Sequence, residues 1–478
     1  MRRRNPAPFT MMNMKNVGST CLYHVIYISC CFMAFSIYRY YIDIETLPIE
    51  IKELPKLVRT SLKMNELPKQ VQASLQKRPE RNTDESFAQN GLSAALTGTL
   101  FSGEIVRTSL PEAYKNKHKY LAKLDNMPAC DNWAVVTTVF SPSKAVQHIA
   151  SLTNWCLVIV ADMKTPPESK YLFEMGNVNH ITRKRVKYLS VPEQSKLYPL
   201  LAEAIPLNTF GRKNIGYMYA IHHEANYIWD FDDDNFGLIE LNDFKPSNPL
   251  SYVTDCKAAH NTLLNPYPYF GVAESYTWPR GFPLQDIKNK TTLPKLCTKS
   301  TSVKLGIVQS LANKQPDIDA IYRLTRDIPF NFRATPKSHR PLVLPRNSYT
   351  PFNAQATLWF APAFPYLLLP ISVHGRVSDI WRSYIAEYFL YKNDLLLAFS
   401  SPYVVQDRNP HNYLRDFNAE LDLYQKSKQL VEFLSSDKHG NQPHLLAMYK
   451  SLYMREYFEL PDIFLAEAWT KTLEDISK

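Results

Sequence analysis

Glycine is scarce in this chain, with 13 residues among 478, whereas proline occurs 34 times. This balance argues against low-complexity disorder and indicates rigid, irregular loops over a globular body. The formal net charge is +10, but the basic residues are scattered, and no zinc-finger or aromatic RNA-binding motif accompanies them. We interpret the one short basic cluster, residues 183–187, as a solvated loop or a patch for an acidic ligand. Nucleic acid is therefore not an expected partner.

Charged side chains are absent from residues 16–38, a stretch long enough to cross a bilayer as one helix. Basic residues precede it and acidic residues follow it, so the positive-inside rule places residues 1–15 in the cytoplasm and the bulk of the chain in a lumen or outside the cell. The alternative is a cleaved signal peptide, with a small-residue site at 34–36. We favour an uncleaved anchor because the apolar part continues past that site.

Few cysteines lie outside this predicted span. Up to two disulfides can form among Cys130, Cys156, Cys256 and Cys297, and the sequence does not choose among the three pairings. One glycosylation sequon begins at Asn289, in a predicted surface loop.

Residues 39–125 are predicted to form a stem. The motif at 53–56 recurs at 66–69, a duplication of thirteen residues that is typical of a spacer or a self-association segment. Self-association through the stem would make the protein a homo-oligomer.

The organisation changes near Trp133. β-rich runs at 133–140, 155–160 and 186–189 alternate with predicted helices at 143–152 and 211–224, and a further short strand is predicted at 227–229. This alternation predicts an α/β fold with a mostly parallel sheet flanked by helices, in which ligands gather at the carboxyl ends of the strands. Asp162 follows one such strand.

Four carboxylates crowd into five residues after the last of these strands: Asp230, Asp232, Asp233 and Asp234. Like charges at this density raise one another's pKa unless a cation neutralises them. Oxygen ligands of this kind suit Mg²⁺ or Mn²⁺, which bind substrate phosphates through one or two carboxylates. Strand alternation would place Asp230, Asp232 and Asp234 on one side. The alternative is an acidic turn exposed to solvent.

Three further polar segments are candidates for the same chemistry. Arg212, Lys213 and Asn214 open the helix before the acids, where a phosphate would be attracted, although ordinary capping explains the same residues. Segment 372–382 is predicted to place Asp379 in the first turn of a helix that begins near Ser378, as a general base or a dipole partner. In the same segment, His374 and Arg376 are candidates to bind phosphate or sugar hydroxyls. Segment 406–411 contains Asp407, as well as His411, which would complete a metal shell.

Taken together, these segments resemble the STELLO family of Golgi membrane proteins, regarded as glycosyltransferases with a GT-A type domain. The similar stretches, in the family order, are 132–138, 155–162, 210–216, 228–235, 315–323, 349–357, 370–384 and 405–420. The resemblance implies a type II membrane protein of the Golgi whose catalytic domain is lumenal. It divides the chain into a cytoplasmic tail (1–15), a signal anchor (16–38), a stem (39–125), a GT-A-like domain (126–435) and a helical tail (436–478).

By this resemblance, the protein would transfer a sugar from a nucleotide-diphosphate donor to an unknown acceptor, with Mn²⁺ or Mg²⁺ as cofactor. The implied metal ligands are Asp230, Asp232, Asp233, Asp234 and His411. The implied donor-binding residues are Thr137, Thr138, Asp162, Arg212, Lys213, Asn214, His374 and Arg376. The implied catalytic residues are Asp379 and Asp407, and Asp379 would be the acceptor-side base.

Two other functions compete with this one. A non-catalytic Golgi scaffold would keep the fold and organise other glycan-synthesising enzymes through its span and stem, but it has no need of crowded carboxylates. A metal-dependent phosphohydrolase is disfavoured because the sequence has no dense cluster of histidine and aspartate. The sequence leaves open the sugar, the acceptor, the stereochemistry and which of the two Asp-x-Asp pairs binds metal.

Overall fold

The structure is a computed structural model that describes residues 127–176, 180–237, 251–256, 262–272, 277–335, 339–408, 411–436 and 444–477. The predicted cytoplasmic tail, membrane span and duplicated stem lie outside these ranges. None of the helices within them has the length and apolar composition to cross a membrane.

Strands and helices alternate in the first part of the described chain. The strands are β1 (Asn132–Thr138), β2 (Cys156–Ala161), β3 (Val186–Leu189), β4 (Tyr227–Phe231), β5 (Asn235–Gly237), β6 (Tyr252–Asp255), β7 (Thr262–Leu263), β8 (Leu296–Lys299), β9 (Leu305–Asn313), β10 (Leu342–Val343), β11 (Ser348–Tyr349), β12 (Ala356–Phe360) and β13 (Leu396–Gln406). The helices are α1 (Lys144–Ala150), α2 (Glu168–Glu174), α3 (His180–Arg183), α4 (Val191–Leu197), α5 (Pro199–Ala204), α6 (Lys213–His222), α7 (Ala320–Thr325), α8 (Gly375–Lys392), α9 (Tyr413–Ala419), α10 (Leu421–Ser435), α11 (Leu445–Tyr453) and α12 (Leu460–Ile476).

The main sheet has the order β3-β2-β1-β4-β12-β9-β13-β10-β6-β8, and β5 pairs with β13. The first four strands are parallel, as predicted. Beyond them the sheet is mixed, because β12 is antiparallel to both β4 and β9. The α/β class is thus confirmed, but the expectation of a mostly parallel sheet holds only for one side. The prediction failed there because the alternation of strands and α-helices stops after β4, and β5 to β9 follow one another without an α-helix in the described residues.

The central strands are buried on both faces, as expected for parallel strands covered by helices. Trp133 and Val135 of β1 face one hydrophobic cluster, whereas Ala134 and Val136 face another. On the first face, α6 lies very close to the sheet at Gly216. A Cβ atom there would come within 2.5 Å of the Val160 side chain and 2.6 Å of the Val135 side chain.

One edge of this sheet collects the ends of five strands. β1 is parallel to β2 and β4, and β9 is parallel to β13. Because β12 runs opposite to both β4 and β9, these two strands also point the same way. The carboxyl ends of β1, β2, β4, β9 and β13 therefore meet at one edge, as the sequence pattern predicted for the first three.

The four cysteines outside the predicted span form two disulfides, which the sequence had left unassigned. Cys130 pairs with Cys156 at a Cα–Cα distance of 6.1 Å, and Cys256 pairs with Cys297 at 5.8 Å. Both distances lie in the usual range for disulfides. Asn289 is exposed, in agreement with the predicted surface position of the sequon.

One prediction about the last third of the chain, the place of Asp379 in its helix, is corrected. Helix α8 begins at Gly375 with His374 as its N-cap, so Asp379 lies beyond the first turn and is buried. The predicted tail consists of two helices, α11 and α12, that pack into the main core. Tyr449 donates a hydrogen bond to the Leu368 carbonyl, and Trp469 donates one to the Pro365 carbonyl.

Candidate functional site

A cavity of about 250 Å³ opens at the carboxyl edge of the sheet. Six of the predicted site residues line it: Thr137, Thr138, Asp162, Asp232, Asp233 and Asp234. They come from the ends of β1, β2 and β4, which are adjacent strands, and this explains why positions far apart in sequence meet. Asp232, Asp233 and Asp234 (the acidic turn) are therefore part of a cavity wall and do not project into bulk solvent.

Five other residues complete the wall, and they were not named as site residues from the sequence: Val139, Phe140, Asn208, Thr209 and Phe210. Phe140 is 60% exposed, unusual for a large apolar side chain, and Asn208 has a left-handed backbone with φ of 57°. For Asn208, Thr209 and Phe210, the one sequence signal of a place in the cavity wall was their position just before the predicted phosphate-binding helix.

Asp230 does not reach this cavity. It is fully buried and forms ion pairs with Lys213 at 2.7 Å and Arg382 at 3.1 Å. Strand β4 ends at Phe231 and the chain then turns, so the alternation that would have put Asp230, Asp232 and Asp234 on one side does not extend past the strand.

Lys213 joins the buried acid to the cavity wall. Its ammonium group is fully buried, pairs with Asp232 at 3.1 Å, and donates to the carbonyls of Phe231 and Ala354 at 2.8 Å. Burial alone would lower the pKa of Lys213, but Asp230 and Asp232 raise it above the usual value. Lys213 is therefore a buried cation that anchors the acidic turn, not a ligand for a phosphate.

Asp232 and Asp234 are held in a way that favours a cation. Burial raises the pKa of Asp232 to about 7; the neighbouring Asp234 and Asp230 add to this rise, and Lys213 opposes it. Burial and Asp233 also raise the pKa of Asp234, while a hydrogen bond from Gln406 at 3.0 Å opposes the rise. The Oδ1 atom of Asp234 is buried without a hydrogen-bond partner. A cation would satisfy this oxygen and relieve the crowding.

Asp233 is already engaged, because its Oδ2 atom accepts a hydrogen bond from the Thr138 hydroxyl. Across the described residues, no three His, Cys, Asp or Glu side chains converge to form a complete metal shell. This arrangement fits an ion that takes one or two carboxylates from the protein and the rest of its ligands from water and phosphate, as Mg²⁺ commonly does.

Arg212 and Asn214 support the fold beneath the cavity and do not line it. Arg212 is 1% exposed and donates to the carbonyls of Ala202 and Ile205 at 3.1 and 3.0 Å. The Asn214 side chain exchanges two hydrogen bonds with the backbone of Leu369, at 2.9 and 2.8 Å. Their predicted contact with the donor has no support in this geometry.

The candidates at the start of α8 lie outside the cavity as well. His374 accepts a hydrogen bond from the Arg376 amide at 3.1 Å, which is a capping role, and Arg376 pairs with Glu420. A second cavity of about 230 Å³ adjoins the first, sharing Asn208, Thr209 and Phe210 with it, and the α8 residues Gly375 and Ser378 line it.

Asp379 is fixed by Arg280, which donates to its two oxygens at 3.1 and 2.8 Å. The Ala354 amide adds a hydrogen bond at 3.3 Å. A carboxylate held in this way is poorly suited to accept a proton from an acceptor hydroxyl, so the general-base assignment loses its support.

Asp407 and His411 follow β13. Asp407 is largely exposed and pairs with Lys314 at 2.7 Å, and His411 contacts Asp416 at 3.3 Å. Neither side chain lines the cavity, so His411 does not join the carboxylates of the acidic turn. The backbone of Asp407 does approach them, since its amide donates to the Asp234 carbonyl at 3.3 Å.

A buried polar network that the sequence did not predict connects the two regions. Asn353 donates to Asp317 at 2.9 Å and to Gln355 at 3.2 Å, and the Gln355 carbonyl accepts from the Asp232 amide at 3.1 Å. Asp317 in turn pairs with Arg280 at 2.7 Å. The acidic turn is thus tied through one chain of hydrogen bonds to the Arg280–Asp379 pair.

Comparison with known proteins confirms the resemblance to the STELLO family. The model of the family described as STELLO glycosyltransferases matches residues 376–476, which cover α8 to α12 but not the cavity. Two relatives from Arabidopsis thaliana, "Probable glycosyltransferase STELLO2" and "Probable glycosyltransferase STELLO1", are each 26% identical over 72% of this chain. These alignments cover 44% of each relative, so the chain matches less than half of their length.

Among solved structures, a mannosyltransferase from Pyrobaculum calidifontis in complex with GDP-Man and Mn²⁺ is similar over 81% of this chain and 98% of its own. The identity is 11% and the TM-score is 0.21. A score this low does not establish a shared fold.

Proposed function

We propose that this protein is a metal-dependent glycosyltransferase that transfers a sugar from a nucleotide-diphosphate donor. The observation that carries this proposal is the meeting of Asp232, Asp233 and Asp234 with Thr137 and Asp162 in one cavity at the carboxyl edge of the sheet. Ligands of α/β sheets bind at this edge. The names of the relatives point to the same reaction class.

We assign Asp232 and Asp234 to the metal, because Asp230 is buried in ion pairs with Lys213 and Arg382. A bound Mn²⁺ or Mg²⁺ would supply positive charge to the diphosphate leaving group. Thr137 and Asp162, at the ends of β1 and β2, would bind the nucleotide in a GT-A-like arrangement. Phe210 lines both cavities and would separate the nucleotide from the transferred sugar.

The test is a thermal-shift measurement on the purified full chain with UDP-sugars and GDP-sugars, with and without Mn²⁺. A ligand that binds the folded state raises the apparent stability by mass action. We expect a shift that needs both nucleotide and metal, and that is lost in Asp232→Asn. The matched control is Asp394→Asn, which removes one exposed carboxylate at a turn far along the chain.

The absence of a shift with every nucleotide, with and without metal, would contradict the proposal and favour the non-catalytic scaffold. A shift that survives Asp232→Asn would remove the acidic turn from the site.

We also propose that the chain is a single-pass type II protein of the Golgi membrane with its catalytic domain in the lumen. The support is the charge-free stretch at 16–38, its flanking charges, and the resemblance to the STELLO family. The two disulfides are compatible with an oxidising compartment. Association through the duplicated stem remains part of this proposal.

A further inference from the structure

Three arginines from separate elements converge beside the acidic turn. Arg323 lies in α7, Arg376 at the start of α8, and Arg408 just after β13. Burial, together with the neighbouring guanidinium groups of Arg376 and Arg323, lowers the pKa of Arg408 to about 10. All three side chains remain cationic near neutral pH, so the cluster contains like charges at close range.

The carboxylates around this arginine cluster leave some of its guanidinium donors without a hydrogen bond among the described residues. Arg376 is paired with Glu420, but Arg323, among the described residues, makes no ion pair and donates to Gln315 at 2.6 Å and to the Pro316 carbonyl at 2.8 Å. Among the described residues, Asp416 is the carboxylate within 4 Å of Arg408, at 3.6 Å, which is too long for a hydrogen bond. Asp317 adds a favourable charge from farther away.

Arg408 is unusual because its side chain is largely buried but its hydrogen-bond donors are unused among the described residues. Its side chain is 12% exposed, yet within the described part of the chain no N–H of its guanidinium group makes a hydrogen bond. Arg376 is 15% exposed and its Nη1 atom lies 3.6 Å from the same oxygen of Asp416. A guanidinium group with open donors and a second cation beside it is suited to bidentate binding of a phosphate or a carboxylate.

The position of the cluster relates it to the cavity. Gln406 donates to Asp234 at 3.0 Å, and Arg408 follows two residues later. In the sheet order, β4 separates β1 and β2, which carry Thr137 and Asp162, from β9 and β13. Arg408, which follows β13, therefore lies on the opposite side of the acidic turn from the predicted nucleotide site, and Arg376 lies beside it at Asp416.

We propose that Arg408 and Arg376, supported by the charge of Arg323, bind an oxyanion, a phosphate or a carboxylate, that is carried by the sugar acceptor. The identification of the bound molecule as the acceptor rests on the proposed function. The existence of an oxyanion site at the arginine cluster does not.

The test is a calorimetric titration of the purified full chain, without metal or nucleotide, with inorganic phosphate in one arm and glucuronate in the other. We expect at least one of the two anions to bind, and Arg408→Gln to weaken that binding at least tenfold. Arg408→Lys should have an intermediate affinity, because lysine keeps the positive charge but lacks the planar guanidinium group that binds oxyanions bidentately. The matched control is Arg346→Gln, which removes an exposed, ion-paired arginine elsewhere and should leave the affinity unchanged.

Equal affinity in the wild type, Arg408→Gln and Arg346→Gln would overturn the site, as would the absence of binding in both arms. The nucleotide thermal shift, measured on the same variants, tests the assignment to the acceptor. It should persist in Arg408→Gln, and its loss would move the cluster into the donor site and overturn the acceptor assignment. Binding that depends on Arg408 in a protein without any nucleotide shift would refute the proposed function but support the oxyanion site.

Discussion

At the scale of single residues, the charges under the cavity decide which acids are available. Asp230 looks equivalent to Asp232 and Asp234 in the sequence, but Lys213 and Arg382 neutralise it in the core. Lys213 then reaches Asp232 and two backbone carbonyls, and thus fixes the conformation of the turn. An unpaired charge in such a place would cost several kcal/mol, on the order of 3–5.

The buried carboxyl group of Asp319 should make the stability of the fold depend on pH. It is fully buried and accepts hydrogen bonds from Trp278 at 2.5 Å and the Tyr322 amide at 2.8 Å. Burial raises the pKa of Asp319 to about 7, and Glu420 adds to the rise. Between the unfolded and folded pKa values the folded state binds the proton more tightly, so its stability falls as the pH rises from about 4 to about 7.

We therefore expect wild-type stability, measured by urea unfolding relative to Asp319→Asn, to fall by about 2.5 kcal/mol from pH 5 to pH 8. The difference between the two proteins isolates this group from the other titrating residues. A difference that is independent of pH would show that Asp319 is ionised throughout this range.

At the scale of elements, helix α6 positions the acidic turn by lying close to the sheet. Gly216 permits this contact, because any side chain there would meet Val160 and Val135. Lys213 is the first residue of the same helix, so a displacement of α6 would move the ammonium group that anchors Asp232.

Gly216→Ala should destabilise the protein by about 1–3 kcal/mol through overpacking, although alanine itself favours a helix by about 1 kcal/mol. The control is Gly375→Ala in α8, where the added Cβ would meet its nearest neighbour at an ordinary 3.6 Å. Chemical denaturation of both variants measures the difference. Equal stability of Gly216→Ala and the wild type would mean that the helix and the sheet can separate without cost.

At the scale of the whole molecule, the sequon at Asn289 reports which compartment the main domain enters. Asn289 is exposed and caps the short helical turn Lys290–Thr292. N-linked glycans are added only in the secretory pathway, so a lumenal domain would carry one at this surface position.

When the full chain is expressed in eukaryotic cells, we expect treatment with a glycosidase for N-linked glycans to increase its electrophoretic mobility. Asn289→Gln should abolish the shift, while Thr291→Ser, which keeps the sequon, should preserve it. An unmodified wild type would argue against the lumenal orientation.

The sequence by itself determined the α/β class, the strands β1 to β4, the acidic turn and the family resemblance. These features depend on local patterns: apolar runs such as 155–160, the helix that follows Thr209, and four acids in five residues. Such patterns are set by the polymer backbone and by burial of neighbouring side chains, so they can be predicted without knowing distant contacts.

Only the tertiary structure decided which polar residues act in the cavity. In the folded protein, Asp230 is buried in ion pairs with Lys213 and Arg382, and Asp379 is ion-paired with Arg280. The arginine cluster is assembled from α7, α8 and the end of β13. The role of a charged group depends on which groups surround it in space, and here those neighbours lie up to 172 residues away in the chain, as between Gln406 and Asp234. Because the energy of a buried charge is set by these neighbours, sequence spacing could name the candidates but not choose among them.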